Sequence, residues 1–342
     1  MKLHIAFIVF VLTLASSVNF ALAQEKPFTP EAIVALANSQ TVPDNVTENI
    51  VCPDQTSHSI IMFKPGTNWN DASSVVWSWK ASDSPEIKKE HRHWFNHPDE
   101  CKPVLNATHL LLTASGGGVA LVRKEDKKTL FYTRVEGNPH SAALLPDGNI
   151  ASVSSSGFIR LYTVPEQFTG PNVPFIDYPL YGGHGLVWDA QAKRLWGLGY
   201  TELAVYEYNF DKANPKLTKV DSISVKGTPA AGGHDLYPIP GTRAFLLTGV
   251  GVAVFDIETK KFTTIWNNMR NKSVTMSQPP KSLSLTESGA FIILTPSNEW
   301  YTSTIRYFNK QLTPVGTKDG ARFYKARWWT PNEFSDGKMP EE

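Results

Sequence analysis

The chain has 342 residues, and its 33 Lys and Arg stand against 32 Asp and Glu, a formal net charge of +1. That balance leaves no basic stripe of the kind a phosphate backbone requires, so the sequence excludes nucleic acid as a partner. Charged residues make up 19% while Gly, Pro and aromatic residues are frequent, a composition suited to a β-rich, loop-rich extracellular protein.

At the N-terminus, Lys2 and His4 precede an apolar run from Ile5 to Ala15, and small residues end at Ala21-Leu22-Ala23. This order predicts a secretory signal peptide over residues 1–23. A membrane anchor needs about 20 apolar residues, and Ser16, Ser17 and Asn19 interrupt the run too early. The mature protein is therefore expected to be secreted, free of the membrane and monomeric. Residues 24–48 form a lead-in with one short helix, Thr29 serving as N-cap and Pro30 as the first helical residue.

From residue 49 onward nearly everything reads as strand and turn. Short runs such as Ser59-Ile-Ile-Met-Phe, Val119-Ala-Leu-Val and Phe158-Ile-Arg-Leu-Tyr are bounded by Gly, Pro, Asp or Asn. Six repeating units cover about 49–80, 102–135, 140–180, 184–225, 234–265 and 281–309. Their length matches a four-stranded propeller blade. The segment Arg322-Phe-Tyr-Lys-Ala-Arg-Trp-Trp is expected to close the ring on the first blade, because closure removes exposed sheet edges. The prediction is an all-β, six-bladed β-propeller over residues 49–330, with seven blades as the alternative and a tail at 331–342. The stretch 81–101 is an insertion between blades one and two, placed to shape one face.

Cys52 and Cys101 are the only cysteines. In an oxidising compartment they are expected to form a disulfide. Three Asn-x-Ser/Thr sequons, at Asn45, Asn106 and Asn271, are candidate glycosylation sites.

The repeats also align three histidines. His140, His184 and His234 lie 44 and 50 residues apart, each just before the first strand of its blade, and Lys281 holds the same place in the next repeat. In a propeller such positions become neighbours around one mouth of the central channel. Three imidazoles there suggest a divalent metal site for zinc, manganese or copper. Asp99 and Glu100, with Lys102, fall near that level in the second repeat. Loops reaching the same face supply Asp54, Gln55, Tyr200, Glu202, Asn298 and Trp300. These polar and aromatic groups have the ingredients for binding an extracellular carbohydrate or another small polar ligand. Neither a Gly-x-Ser-x-Gly elbow nor a His-Glu-x-x-His helix occurs, which argues against serine hydrolase and zincin chemistry.

The motifs Cys52-Pro-Asp-Gln, Asn96-His-Pro-Asp-Glu-Cys-Lys-Pro, Ser115-Gly-Gly-Gly-Val-Ala-Leu, Asn138-Pro-His-Ser, Gly183-His-Gly-Leu-Val-Trp-Asp and Gly233-His-Asp-Leu together resemble a functionally uncharacterised family of secreted six-bladed propellers. The resemblance implies fold and secretion and no reaction. In architecture alone the chain is similar to the oligogalacturonate lyases, whose metal is held by histidines. The leading expectation is a metal-assisted lyase on uronate-containing glycans. The metal on His140, His184 and His234 would stabilise an enediolate, Lys281 or Tyr200 would move the proton, and Arg92 would orient the anion. A sugar lactonase and a non-catalytic glycan- or protein-binding propeller are the alternatives.

Overall fold

The computed structural model describes residues 47–168, 170–266, 278–287, 289–308, 314–332 and 334. The expected signal peptide, the helix from Pro30, the sequons Asn45 and Asn271 and most of the tail lie outside them. Among the described residues no helix is long and apolar enough to cross a membrane.

Six antiparallel sheets of four strands form the blades of a six-bladed propeller. The inner strands of blades two to six are Pro98–Val104, Pro139–Leu144, Gly185–Asp189, Asp235–Pro238 and Ser282–Leu285. Blade one receives its inner strand from the far end of the chain. Arg327–Trp328 pairs with Ile50–Asp54 through Ile50 opposite Trp328 and Val51 opposite Arg327. Trp329 N–H donates to the Asn49 carbonyl at 2.8 Å, and Trp328 N–H to Ser284 Oγ at 3.0 Å. The ring thus closes as the edge argument predicts.

Blades are apolar on both faces because each is sandwiched between two neighbours, so the core is a series of inter-blade layers. Strand alternation distributes the side chains. In Ile50–Asp54, Ile50 and Cys52 pack toward blade six with Leu283, Ile293 and Trp328, whereas Val51 packs toward blade two with Cys101, Leu110 and Leu112. This overturns the expected disulfide. Both cysteines are buried free thiols, and they lie on opposite faces of the blade-one sheet, as the period-two alternation of a strand requires. Cys101 Sγ instead faces the Val51 carbonyl at 3.5 Å.

The insertion forms 3-10 helices at Ala81–Asp83 and Lys89–Phe95. It leans on the turn after the second strand of blade two: a side chain at Gly116 would strike the His93 and Trp94 carbonyls. Asn106 is exposed in a turn at the opposite end of that blade.

Candidate functional site at the propeller mouth

Inner strands begin at one end of the channel, and the turns between second and third strands reach the same end. One contact path runs through all six blades there. Trp300, at the tip of a turn in blade six, donates its indole N–H to Gln55 Oε1 of blade one at 2.9 Å. Gln55 Nε2 donates to Asp99 Oδ1 of blade two at 2.9 Å, and Ser115 Oγ donates to Asp99 Oδ2 at 2.7 Å. Asp99 Oδ2 faces His140 Nδ1 of blade three at 3.9 Å. The His140 ring stacks on His184 of blade four with centroids 4.3 Å apart, and His184 meets His234 of blade five edge-on at 5.4 Å. His234 Nε2 accepts from Lys281 Nζ of blade six at 3.1 Å. Tyr200 stacks on His184 at 5.2 Å, and a side chain at Gly182, which holds φ +61°, would collide with the Tyr200 ring.

Hydrogen bonds assign the tautomers. His184 Nδ1–H donates to the Gly182 carbonyl at 2.9 Å. His234 Nε2 accepts from an ammonium, and His140 Nε2 accepts from Asn138 Nδ2 at 2.9 Å, so each of these two rings carries its proton on Nδ1. Both Nδ1 atoms are buried with no partner, as is Asn138 Oδ1.

Burial keeps all three imidazoles neutral. It lowers His184 to about 4 and, with Lys281 nearby, His234 to about 3, and it pushes His140 well below its ordinary value. Burial also lowers Lys281 to about 8, with Lys325 adding repulsion. Asp99 moves the other way, raised by burial to about 8 against the Ser115 hydrogen bond. The Asp99 and His140 pair is therefore uncharged on both sides near neutral pH.

A metal does not fit these three imidazoles as placed. A chelating ring aims an in-plane lone pair at the ion, but His140 and His184 lie face to face at an interplanar angle of 7°, so their in-plane directions do not converge. Among the described residues no group of three or more His, Cys, Asp or Glu is arranged to hold a metal ion.

Other expected site residues are placed elsewhere. Glu100 and Lys102 lie deeper, in the channel. Lys102 Nζ bonds Ser141 Oγ at 2.8 Å, the Ala142 carbonyl at 2.9 Å and the Leu186 carbonyl. Glu100 bonds two cations that the sequence reading did not single out, Lys325 and Arg327 of the closing segment. Arg327 also grips Asp235 with two bonds of 2.6 Å, and Lys325 reaches Asp235 at 3.2 Å. These side chains plug the channel beneath the histidines. Asp54 holds its own turn through the Thr56 and Ser57 amides and the Arg322 amide. Glu202 pairs with Lys219 at 2.5 Å on the outer strand. Asn298 Nδ2 donates to Tyr301 Oη at 3.0 Å, shaping the turn that carries Trp300. Arg92 sits in the 3-10 insertion with its Nε buried and unpartnered. Tyr324, whose ring lies 5.4 Å from that of His140, is a mouth residue that no repeat position announces.

Among solved structures, the hydrazine synthase of Kuenenia stuttgartiensis is similar at 16% identity and a TM-score of 0.44, over 66% of this chain. The chain in turn spans 64% of that one. No curated protein matches. The model of a family of unknown function, DUF6528, matches residues 9–341, and the chain belongs to that family.

Proposed function

We propose that this propeller is a secreted binding protein whose mouth takes a small carboxylated, polyhydroxylated ligand of the uronate type, without a metal. The observation that carries the reading is the set of unmet groups at the mouth. His140 Nδ1 and His234 Nδ1 are buried donors lacking acceptors, and Asn138 Oδ1 is a buried acceptor lacking a donor. Unsatisfied buried groups of this kind are costly, and a ligand that meets them recovers the loss. Lys281 adds a positive charge that no carboxylate among the described residues neutralises, and Lys325 lies beneath it. A ligand carboxylate suits the cation and the imidazole donors, while a sugar hydroxyl suits the amide oxygen. Tyr181 is 67% exposed and Trp300 44% exposed, and such aromatic faces stack on sugar rings.

The test is calorimetric titration with D-galacturonate, D-gluconate and D-galactose. Binding of the two acids with galactose at least about tenfold weaker, equivalent to about 1.4 kcal/mol, supports the reading. Equal affinity for galactose, or no binding by either acid, removes it.

A further inference from the structure

Resting on that reading of the mouth, we infer that Lys281 is an imine-forming lysine, a covalent docking point for the carbonyl carbon of a small carboxylated ligand. The ligand chemistry is an aldehyde or ketone near a carboxylate, as in a 2-oxo acid or the open-chain form of a uronate.

The three buried or half-buried ammonium groups around the channel differ in what they hold. An ammonium has three N–H donors. Lys102 uses three on Ser141, Ala142 and Leu186, and Lys325 uses three on Glu100, His140 and Asp235. Both are enclosed, at 7% and 0% exposure, and neither has a free direction from which to attack. Among the described residues the Lys281 ammonium makes one hydrogen bond, and that bond runs to the lone pair of a neutral imidazole, His234 Nε2, at 3.1 Å. That contact holds the nitrogen in place, and the proton that must leave before it can act as a nucleophile goes to solvent. Its backbone is fixed by the Lys281 N–H to Leu294 carbonyl bond of 2.8 Å, so the amine is presented from a rigid blade. A lysine near other cations and partly desolvated is the activated form used in imine chemistry.

The step balances without a further reagent. The amine lone pair forms an N–C bond to the carbonyl carbon after the ammonium proton has left to solvent. The carbinolamine then loses water, the carbonyl oxygen leaving with the hydrogens given up by nitrogen, and an imine remains. The ligand carboxylate stays on the imidazole donors beside it.

Cyanoborohydride, which delivers hydride to the imine carbon, traps the adduct as a secondary amine for the test. The protein is incubated with pyruvate or D-galacturonate and the reductant, and then analysed by intact mass and peptide mapping. The expected result is one adduct, at Lys281, formed at least about tenfold faster than at any surface lysine, absent in Lys281→Arg and slowed by excess D-gluconate. Label spread over surface lysines without enrichment at Lys281, or labelling unchanged in Lys281→Arg, overturns the inference. D-gluconate has no aldehyde or ketone, so calorimetric binding of gluconate without any adduct defeats the imine and leaves the anion site standing. An adduct at Lys281 without gluconate binding upholds the imine and defeats the anion reading.

Discussion

Arg327 is where the cost of breaking this fold is most concentrated. Its guanidinium makes five hydrogen bonds, two to Glu100, two to Asp235 and one to the Leu283 carbonyl. It is also half of the two-residue strand that closes the ring. Replacing it by Met removes the forked donor and leaves two buried carboxylates sharing Lys325. Removing one partner of a buried ion pair costs about 3–5 kcal/mol. For a domain of this size that is a fall of roughly 6–15 °C in Tm. Arg327→Lys keeps the charge but loses the fork, and its expected cost is about 1–3 kcal/mol. The pH dependence has a definite sign. Burial opposes ionisation of Glu100 and Asp235, but Arg327 and Lys325 outweigh it and hold both carboxyls below their ordinary values. A depressed carboxylate stabilises the fold above its unfolded pKa, about 4, and that stability is lost as the pH falls through the folded value. The gap between wild type and Arg327→Met in urea unfolding is therefore widest above about pH 5 and narrows below pH 4. A gap under about 1 kcal/mol at pH 7, or one that does not change with pH, refutes the assignment of the channel plug as an ionic lock.

Three further outcomes follow from the same geometry. His184 and His234 are lowered by burial to about 4 and about 3. The unfolded chain therefore takes up their protons first, and stability declines as pH falls from about 6.5 toward 4. Unfolding scans of His184→Gln are expected to show a shallower decline than wild type. Asp99, raised to about 8 by burial, destabilises the fold increasingly as pH rises from about 4 toward 8. Asp99→Asn is expected to match wild type below about pH 4 and to exceed it at pH 9 in the same assay. Thiol titration of the unfolded, unreduced protein should count two reactive cysteines, Cys52 and Cys101, whereas none would restore the disulfide.

The repeats made the ring legible because a propeller converts sequence phase into spatial position. His140, His184, His234 and Lys281 share one repeat position, and the structure puts them in one unbroken series of contacts. Gln55 and Trp300 were likewise placed by their turns, and Asp99 by its level in the second repeat. Phase alone gives no depth along the strand. Glu100 follows Asp99 directly, yet alternation sends it into the channel, and Lys102 lies deeper still. The closing strand is too short for its pattern to declare Lys325 and Arg327, whose carboxylate partners come from blades two and five. Ring orientation was also invisible in sequence. Three histidines in phase satisfy a count of metal ligands, but the parallel stacking of His140 and His184 denies them a common centre. Counting cysteines failed for a related reason, since proximity of two strands says nothing about which sheet face each thiol occupies.

The most direct test of the mouth is a crystal structure of the protein grown with D-galacturonate, with anomalous data collected for transition metals. The account predicts ligand carboxylate oxygens within about 3.2 Å of Lys281 Nζ and of a His140 or His234 Nδ1, and no anomalous peak between the imidazoles. A metal coordinated by the three histidines, or galacturonate bound away from Lys281, would contradict it.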